Sequence, residues 1–381
     1  MINKIKEAGA KTTLQHYEPK PEQSLPEQSL REWALALPKI DLHRHVEGSL
    51  RLNTLADIAM EHGIDLPSYD IEQLRPYVQM TDDAPDFHRF LEKFQLLRRF
   101  YTSKEAVQRI TREAIFDAAS DNIKYLELRF NPVALARIQN FPLYEVVAWV
   151  EEATAQAQTG EKGIRTCLIL QIGREEPMRT ANEIVDIAVD RFGPLVRGID
   201  LAGDEINYPA HLFTEPFRRA REAGLNITAH AGEAVGARSV HEAITCLGAR
   251  RIGHGIRAVE NSDVVRMVYE NEVALEVCPT SNIHTGVVRG LKQHPLIDLF
   301  NLRLRVTLNT DDPSVSATTL SNEYVTALTA IGLKKKFAYR ALRHAVDAAF
   351  IPPEEQDWLR DRFRAWLAPF SGAIEIFDAD Y

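Results

Sequence analysis

Four histidines and three acids stand where apolar, strand-like runs give way to loops. His43 and His45 share the stretch DLHRHVEG, His230 and Glu233 lie in TAHAGE, His254 is the centre of RIGHG, and Asp311 and Asp312 lie in LNTDDP. Each is ordinary by itself. A lone buried histidine is commonly paired with a carbonyl, a glutamate at a helix start is stabilised by the helix dipole, and Asp-Asp-Pro is a frequent turn or N-cap. Together, at the same ends of several strands, they would be costly to bury without a cation. The spacing of two puts His43 and His45 on one face of a strand. Imidazole nitrogens with one carboxylate suit zinc or a similar divalent transition metal, and the lack of cysteine in the set points to a catalytic site. Such an ion lowers the pKa of water from about 16 to roughly 7. Glu233, three residues after His230, is placed to accept and return that proton.

These residues need a frame that brings strand ends together. Eight β-like runs follow one another: KIDLHRH, IKYLELRFNP, IRTCLILQIG, VRGIDLAGDE, NITAHAGE, RRIGHG, VALEVCPTSN and LRVTLNTDDP. Amphipathic helical stretches such as SDVVRMVYENE separate them. This alternation predicts parallel βαβ units closed into a (β/α)8 TIM barrel, whose active sites lie at the C-terminal ends of the strands. A doubly wound open sheet is the runner-up, but no Gly-X-Gly-X-X-Gly follows the first strand and no Walker-type loop occurs. Residues 46 to 122 form an oversized helical insertion between strands 1 and 2, expected either to wall the barrel mouth or to pack outside it. Phe87, Phe90 and Phe94 within it are spaced to stack on a ligand, or simply to pack on the domain as helix stripes do. Residues 1 to 33, with the duplication PEQSLPEQSL, read as a flexible polar leader before one domain over 34–381.

The composition narrows the class. With 381 residues, 45% apolar and 26% charged, the chain is expected to be globular. Its net charge of −9 argues against nucleic acid or an anionic membrane as partner, and no run is apolar enough for a signal peptide or membrane span, so a cytoplasmic location is expected. Cys167, Cys246 and Cys278 are far apart and read as small buried apolar side chains. A covalent acyl-enzyme is disfavoured, since no Gly-X-Ser-X-Gly elbow is present and no cysteine sits near a histidine in a recognisable motif. Arg44, between the paired histidines, points away from them and is expected to be structural. His284 and His294 read as ordinary loop histidines.

The motifs PKIDLHRHVEGSL, YLELRFNP, GIDLAGDE, TAHAGE, RIGHG, CPTSN with TG behind it, and LNTDDP resemble, in order and approximate spacing over roughly residues 36 to 370, the adenosine deaminase family of the amidohydrolase superfamily. The resemblance implies one zinc ion per chain, held by His43, His45, His230 and Asp311, and hydrolytic deamination of a 6-aminopurine at C6. It further implies that Glu233 protonates the ring nitrogen N1 and that His254 orients the attacking hydroxide. Gly203 would meet N3 through its N–H, Asp312 would face N7, and His45 and Glu47 would border the substrate. Glu47 is a departure: many adenosine deaminases read LDG where this chain reads VEG, a pattern also found in adenine deaminases and in deaminases of modified nucleosides such as aminodeoxyfutalosine. Adenosine or 2′-deoxyadenosine, in purine salvage, is the substrate expected. Two other classes are weaker. A catalytically silent purine-binding relative should have lost a ligand or the acid, and none is missing. A two-metal barrel hydrolase would want a lysine on the fourth strand, which ends DLAGDE.

Overall fold

The computed structural model describes residues 27–81, 83–159 and 164–379. All eight expected strands are present: β1 (Lys39–His45), β2 (Ile123–Phe130), β3 (Arg165–Gly173), β4 (Val196–Ala202), β5 (Asn226–Ala231), β6 (Arg251–His254), β7 (Ala274–Val277) and β8 (Arg305–Leu308). Each pairs in parallel with the next, from β1 through to β8. The ring closes just past β8, where Asp311 and β1 exchange main-chain bonds. The Asp311 N–H donates to His43 O at 2.8 Å and the His45 N–H to Asp311 O at 2.9 Å. Lower down, the Leu42 N–H donates to Asn309 Oδ1 at 3.0 Å, a side chain standing in for the ladder. The chain is thus a (β/α)8 barrel with its helices outside.

In β2 the period-two pattern has charged residues on its inner face. Leu126, Leu128 and Phe130 turn toward the helices, while Tyr125, Glu127 and Arg129 turn toward the barrel axis, and all six are buried. Burying Glu127 and Arg129 is tolerable only because they join a closed network. Arg129 donates to Asp200 at 3.1 Å, to Glu276 at 2.8 Å and to Leu42 O at 2.6 Å. Arg251 bridges Glu276 and Glu127, both at 2.5 Å. Against the burial that would raise them, His230 and Arg129 hold Asp200, and Arg129 with Arg251 hold Glu276, well below the usual carboxylate range. Removing one partner leaves uncompensated buried charge, so Arg129→Met should lower the unfolding free energy by roughly 3–5 kcal/mol. Urea unfolding measures it, and a loss under about 1 kcal/mol would show that Arg129 does not compensate these buried carboxylates.

Helix α1 (Glu27–Ala36) corrects the expected leader, since residues 27–33 are helical and Trp33 packs against the core. The rest of that leader lies outside the described residues. The insertion folds as α2 (Leu52–His62), α3 (Ile71–Val78) and α4 (Phe87–Leu97), before α5 (Lys104–Ser120) returns along the barrel to β2. The apolar pattern did not predict α3, whose short run holds Pro76; Asp70 starts it by accepting from the Gln73 N–H. Asp86 caps α4 at the Arg89 N–H, fixing the helix so that Phe90 and Phe94 face inward with ring centroids 5.8 Å apart. The insertion is tied to the mouth, as the Met80 N–H donates to Val315 O and the Asp86 N–H to His284 O. Cys167 and Cys278 are buried as expected, but Cys246 is half-exposed. Among the described residues, no helix is long and apolar enough to cross a membrane.

Candidate metal centre and active site

The C-terminal ends of β1, β5, β6 and β8 deliver the predicted residues to one point. One ligand atom from each of His43, His45, His230 and Asp311 lies within 4.8 Å of the others, and all four residues are buried. Asp311 Oδ1 is 3.3 Å from His43 Nε2 and 3.2 Å from His45 Nε2. Two of the rings are oriented from behind. Glu276 Oε2 meets His43 Nδ1 at 2.7 Å and Asp200 meets His230 Nδ1 at 3.1 Å, so each Nδ1 carries its proton outward and leaves the Nε2 lone pair facing the cluster. Three imidazoles and one carboxylate, with carboxylates holding two of the rings, are a donor set for a divalent transition metal. Charge agrees. Among Glu127, Asp200, Glu276, Arg129 and Arg251, three carboxylates face two guanidinium groups, and Asp311 adds a further negative charge that a dication would offset.

Backbone geometry shows why these sequences are needed. His254 and Asp311 both take positive φ, +60° and +64°, which non-glycine residues seldom adopt. Gly253 precedes His254 because a Cβ there would lie 2.8 Å from the His43 ring, and Gly255 continues the left-handed path at φ +67°. The turn after β5 is held by Glu205, whose carboxylate accepts from the main-chain N–H of Gly232 at 2.6 Å and of Val235 at 2.9 Å. Glu233 leaves that turn beside the cluster, with Oε2 3.4 Å from His254 Nε2. Burial, with the carboxylates of Asp311 and Glu205 nearby, pushes Glu233 well above the usual carboxylate range, so it tends to hold a proton. Burial holds His254 well below the usual imidazole range, hence neutral.

A cavity of about 440 Å³ opens above this cluster, lined by His45, Glu47, Gly203, His230, Glu233, His254, Asp311 and Asp312. Its wall is α4, through Phe87, Phe90, Leu91 and Phe94. The insertion therefore walls the mouth, and Phe90 and Phe94 both pack in the core and border the cavity. Gly203 has φ +103°, and a Cβ there would sit 2.4 Å from Glu175 Oε2. Glu47 Oε1 accepts from the Asn131 N–H at 2.6 Å, whereas Glu47 Oε2 and Asp312 Oδ1 are buried without a hydrogen-bond partner. Burial pushes Glu47 up to about 7, and burial with Asp311 and Glu47 pushes Asp312 well above its usual range. Two buried carboxyl oxygens without a partner, both bordering a cavity, call for polar groups on a ligand.

Arg44 lies on the other side, as expected, with Nε donating to Ser49 Oγ at 3.3 Å. His284 and His294 are not among the residues lining the cavity. His284 approaches Ser316 Oγ at 3.3 Å, while His294 is buried. Asp200, Glu276, Arg129 and Glu205 do not stand out by spacing. For Arg129, Asp200 and Glu276 the signal is charge inside otherwise apolar runs, in YLELRF, GIDLAG and ALEV, whereas Glu205 follows its run in the polar end of GIDLAGDE.

A buried histidine and aspartate cluster at the C-terminal mouth of a (β/α)8 barrel, with a proton-holding carboxylate beside it, has the layout of a metal-dependent hydrolase. Residues 38–366 match the family model described as Adenosine deaminase. An adenosine deaminase of Aliivibrio fischeri is 37% identical over 325 residues, covering 85% of this chain and 97% of the relative. Among solved structures, the chain resembles an adenine deaminase from Arthrobacter aurescens, with 29% identity, TM-score 0.80 and coverage of 87% of this chain and 99% of the other. It also resembles a Burkholderia amidohydrolase with bound zinc, with 25% identity, TM-score 0.83 and coverage of 95% and 98%. The chain belongs to the adenosine deaminase family.

Proposed function

We propose that this protein is a zinc-dependent deaminase that converts adenosine or 2′-deoxyadenosine to the 6-oxo nucleoside and ammonia. The observation that carries the reading is the convergence, in one cavity, of a four-residue metal cluster, a proton-holding Glu233 and two orphaned carboxylate oxygens. His43, His45, His230 and Asp311 would hold the ion. When bound, it supplies a hydroxide nucleophile from water near neutral pH and polarises it for attack at C6.

The remaining steps belong to this chain's own side chains. Glu233, protonated in its buried setting, donates to N1 and so drains electrons from the ring toward the nitrogen, making C6 attackable. His254 directs its Nε2 toward the same point and stabilises the charge that develops on the adding oxygen. The protonated Asp312 donates to N7, and the Gly203 N–H would meet N3, so that three ring nitrogens are engaged and the plane of the base is fixed. The tetrahedral carbon then expels the 6-amino group as ammonia, with Glu233 returning the proton it collects from the nucleophile. α4 closes the apolar side of the cavity over the base.

Glu47 Oε2 has the buried, unpaired acceptor that a ribose 5′-hydroxyl would satisfy. Glu47→Gln should therefore lower kcat/KM for adenosine by about 10-fold, the worth of a hydrogen bond to a charged group, while adenine turnover stays within about twofold. An equal loss on both substrates would mean that Glu47 does not face the ribose. The likeness to an adenine deaminase supports a second reading in which the free base is preferred. Ranking kcat/KM for adenosine, 2′-deoxyadenosine, adenine, AMP and aminodeoxyfutalosine at equal concentration separates them. Adenosine or deoxyadenosine first supports the proposal, and adenine or aminodeoxyfutalosine first replaces it.

A further inference from the structure

His254 can act in the proposed reaction only if the proton of its neutral ring sits on Nε2, the nitrogen facing the cavity. Its Nδ1 lies 3.1 Å from Asn282 Nδ2, and Asn282 Oδ1 lies 3.2 Å from His294 Nε2. The Leu296 main-chain N–H completes the row, donating to His294 Nδ1 at 3.1 Å. All three side chains are buried, Asn282 completely.

The direction of every bond in this row follows from its last member. A main-chain N–H only donates, so His294 Nδ1 must present its lone pair. Burial lowers the His294 pKa to about 4, so the ring is neutral and its one proton is on Nε2. That proton faces Asn282, which must answer with its oxygen. A flipped amide would set an N–H against an N–H, which fixes an assignment that amide geometry alone leaves open. The Asn282 amino group therefore donates to His254 Nδ1. With its lone pair there, His254 carries its proton on Nε2, which stands 3.4 Å from Glu233 Oε2 and 3.7 Å from Asp311 Oδ2.

We infer that Asn282 and His294 are positioning residues that lock His254 in its Nε2–H tautomer through a one-way hydrogen-bond relay anchored on the Leu296 N–H. This inference rests on the proposed role of His254 as donor to the oxygen adding at C6. The relay reaches no substrate and no metal ligand directly. Its members lie on the segment after β7 and at the start of the helix Leu296–Asn301, outside the cavity lining. The tautomer is thus set from behind the barrel wall.

Asn282→Asp is nearly isosteric and reverses the relay's polarity at one atom. A carboxylate oxygen facing His254 Nδ1 demands a proton there and leaves Nε2 as acceptor, or charges the ring. With zinc content unchanged, kcat on adenosine should fall by roughly 10²-fold or more while KM moves less than about threefold, the pattern of a lost transition-state interaction. His294→Gln keeps a donor toward Asn282 and should retain kcat within a few fold, whereas His294→Leu should lose about 10-fold. The readout independent of activity is the side-chain ¹⁵N spectrum of zinc-loaded, ¹⁵N-histidine-labelled protein, with the His254 signals assigned by their loss in His254→Asn. Wild type should show a protonated Nε2 and a bare Nδ1 at His254, and Asn282→Asp a protonated Nδ1. A wild-type spectrum with Nδ1 protonated overturns the inference, as does a folded, zinc-loaded Asn282→Asp enzyme with wild-type kcat. If wild type turns over no 6-aminopurine, the functional proposal fails instead, and the spectra alone decide the relay.

Discussion

Glu233→Gln should reduce kcat by roughly 10²–10⁴-fold while leaving metal content at wild-type level, the loss expected when a general acid–base group is removed without disturbing the cluster beside it. The size follows from the two transfers the proposed mechanism gives Glu233: a proton to N1 before attack and one collected from the nucleophile afterward. Glutamine keeps the side chain's volume and its ability to donate a hydrogen bond, but it cannot transfer a proton. The turn that carries residue 233 should survive, because it is held by Glu205 through main-chain N–H groups and not by the Glu233 side chain. Substrate affinity should therefore change little. Stopped-flow or steady-state loss of adenosine absorbance, with metal measured on the same samples, checks this. A variant retaining a tenth or more of wild-type kcat would remove Glu233 from the proton transfers.

Removing the metal should have an equally large effect and be reversible. Prolonged chelation should bring turnover below detection, at least about 10³-fold, and stoichiometric zinc should restore it. Asp200→Asn should fall between the extremes. It exchanges the carboxylate behind His230 for an amide, which weakens the lone pair that His230 offers and lets the ring turn; metal affinity or activity should drop about 10–100-fold. The two results together separate the ligand cluster from its supports. Activity that persists undiminished after the metal is shown to be gone would contradict the assignment of the cluster.

Why so much of the barrel was legible in the sequence has a physical basis. Parallel strands covered on both faces must be short, apolar and regularly alternated with helices, and all eight runs that show this pattern are strands. The candidate ligands are legible because histidines and acids gathered at strand ends are costly to bury together unless a cation draws them in. GHG was legible as a motif but not as geometry: only the structure shows that Gly253 makes room for the His43 ring and that His254 itself takes a positive φ. The pairing of the buried charges is not legible, because the partners are remote in the chain. Arg129 meets Asp200 and Glu276 from three strands, and no local pattern announces that a charged residue inside a strand is paired 71 or 147 positions away. His294 carries even less local signal. As a loop residue before a proline it looked incidental, yet it is buried and bonded to Asn282, behind His254. The start of α1 was hidden by the polar repeat, in which the second EQSL is helical.

The proposed reaction is hydrolysis of the C6–N bond of a purine in this cavity with the help of a bound metal ion. The most direct measurement is ammonia released per mole of 6-aminopurine consumed by protein reconstituted to one zinc per chain. One ammonia is expected for each 6-oxopurine formed, from adenosine or 2′-deoxyadenosine foremost, and none from the chelated protein. A fully metallated, folded protein that releases no ammonia from any 6-aminopurine would contradict it.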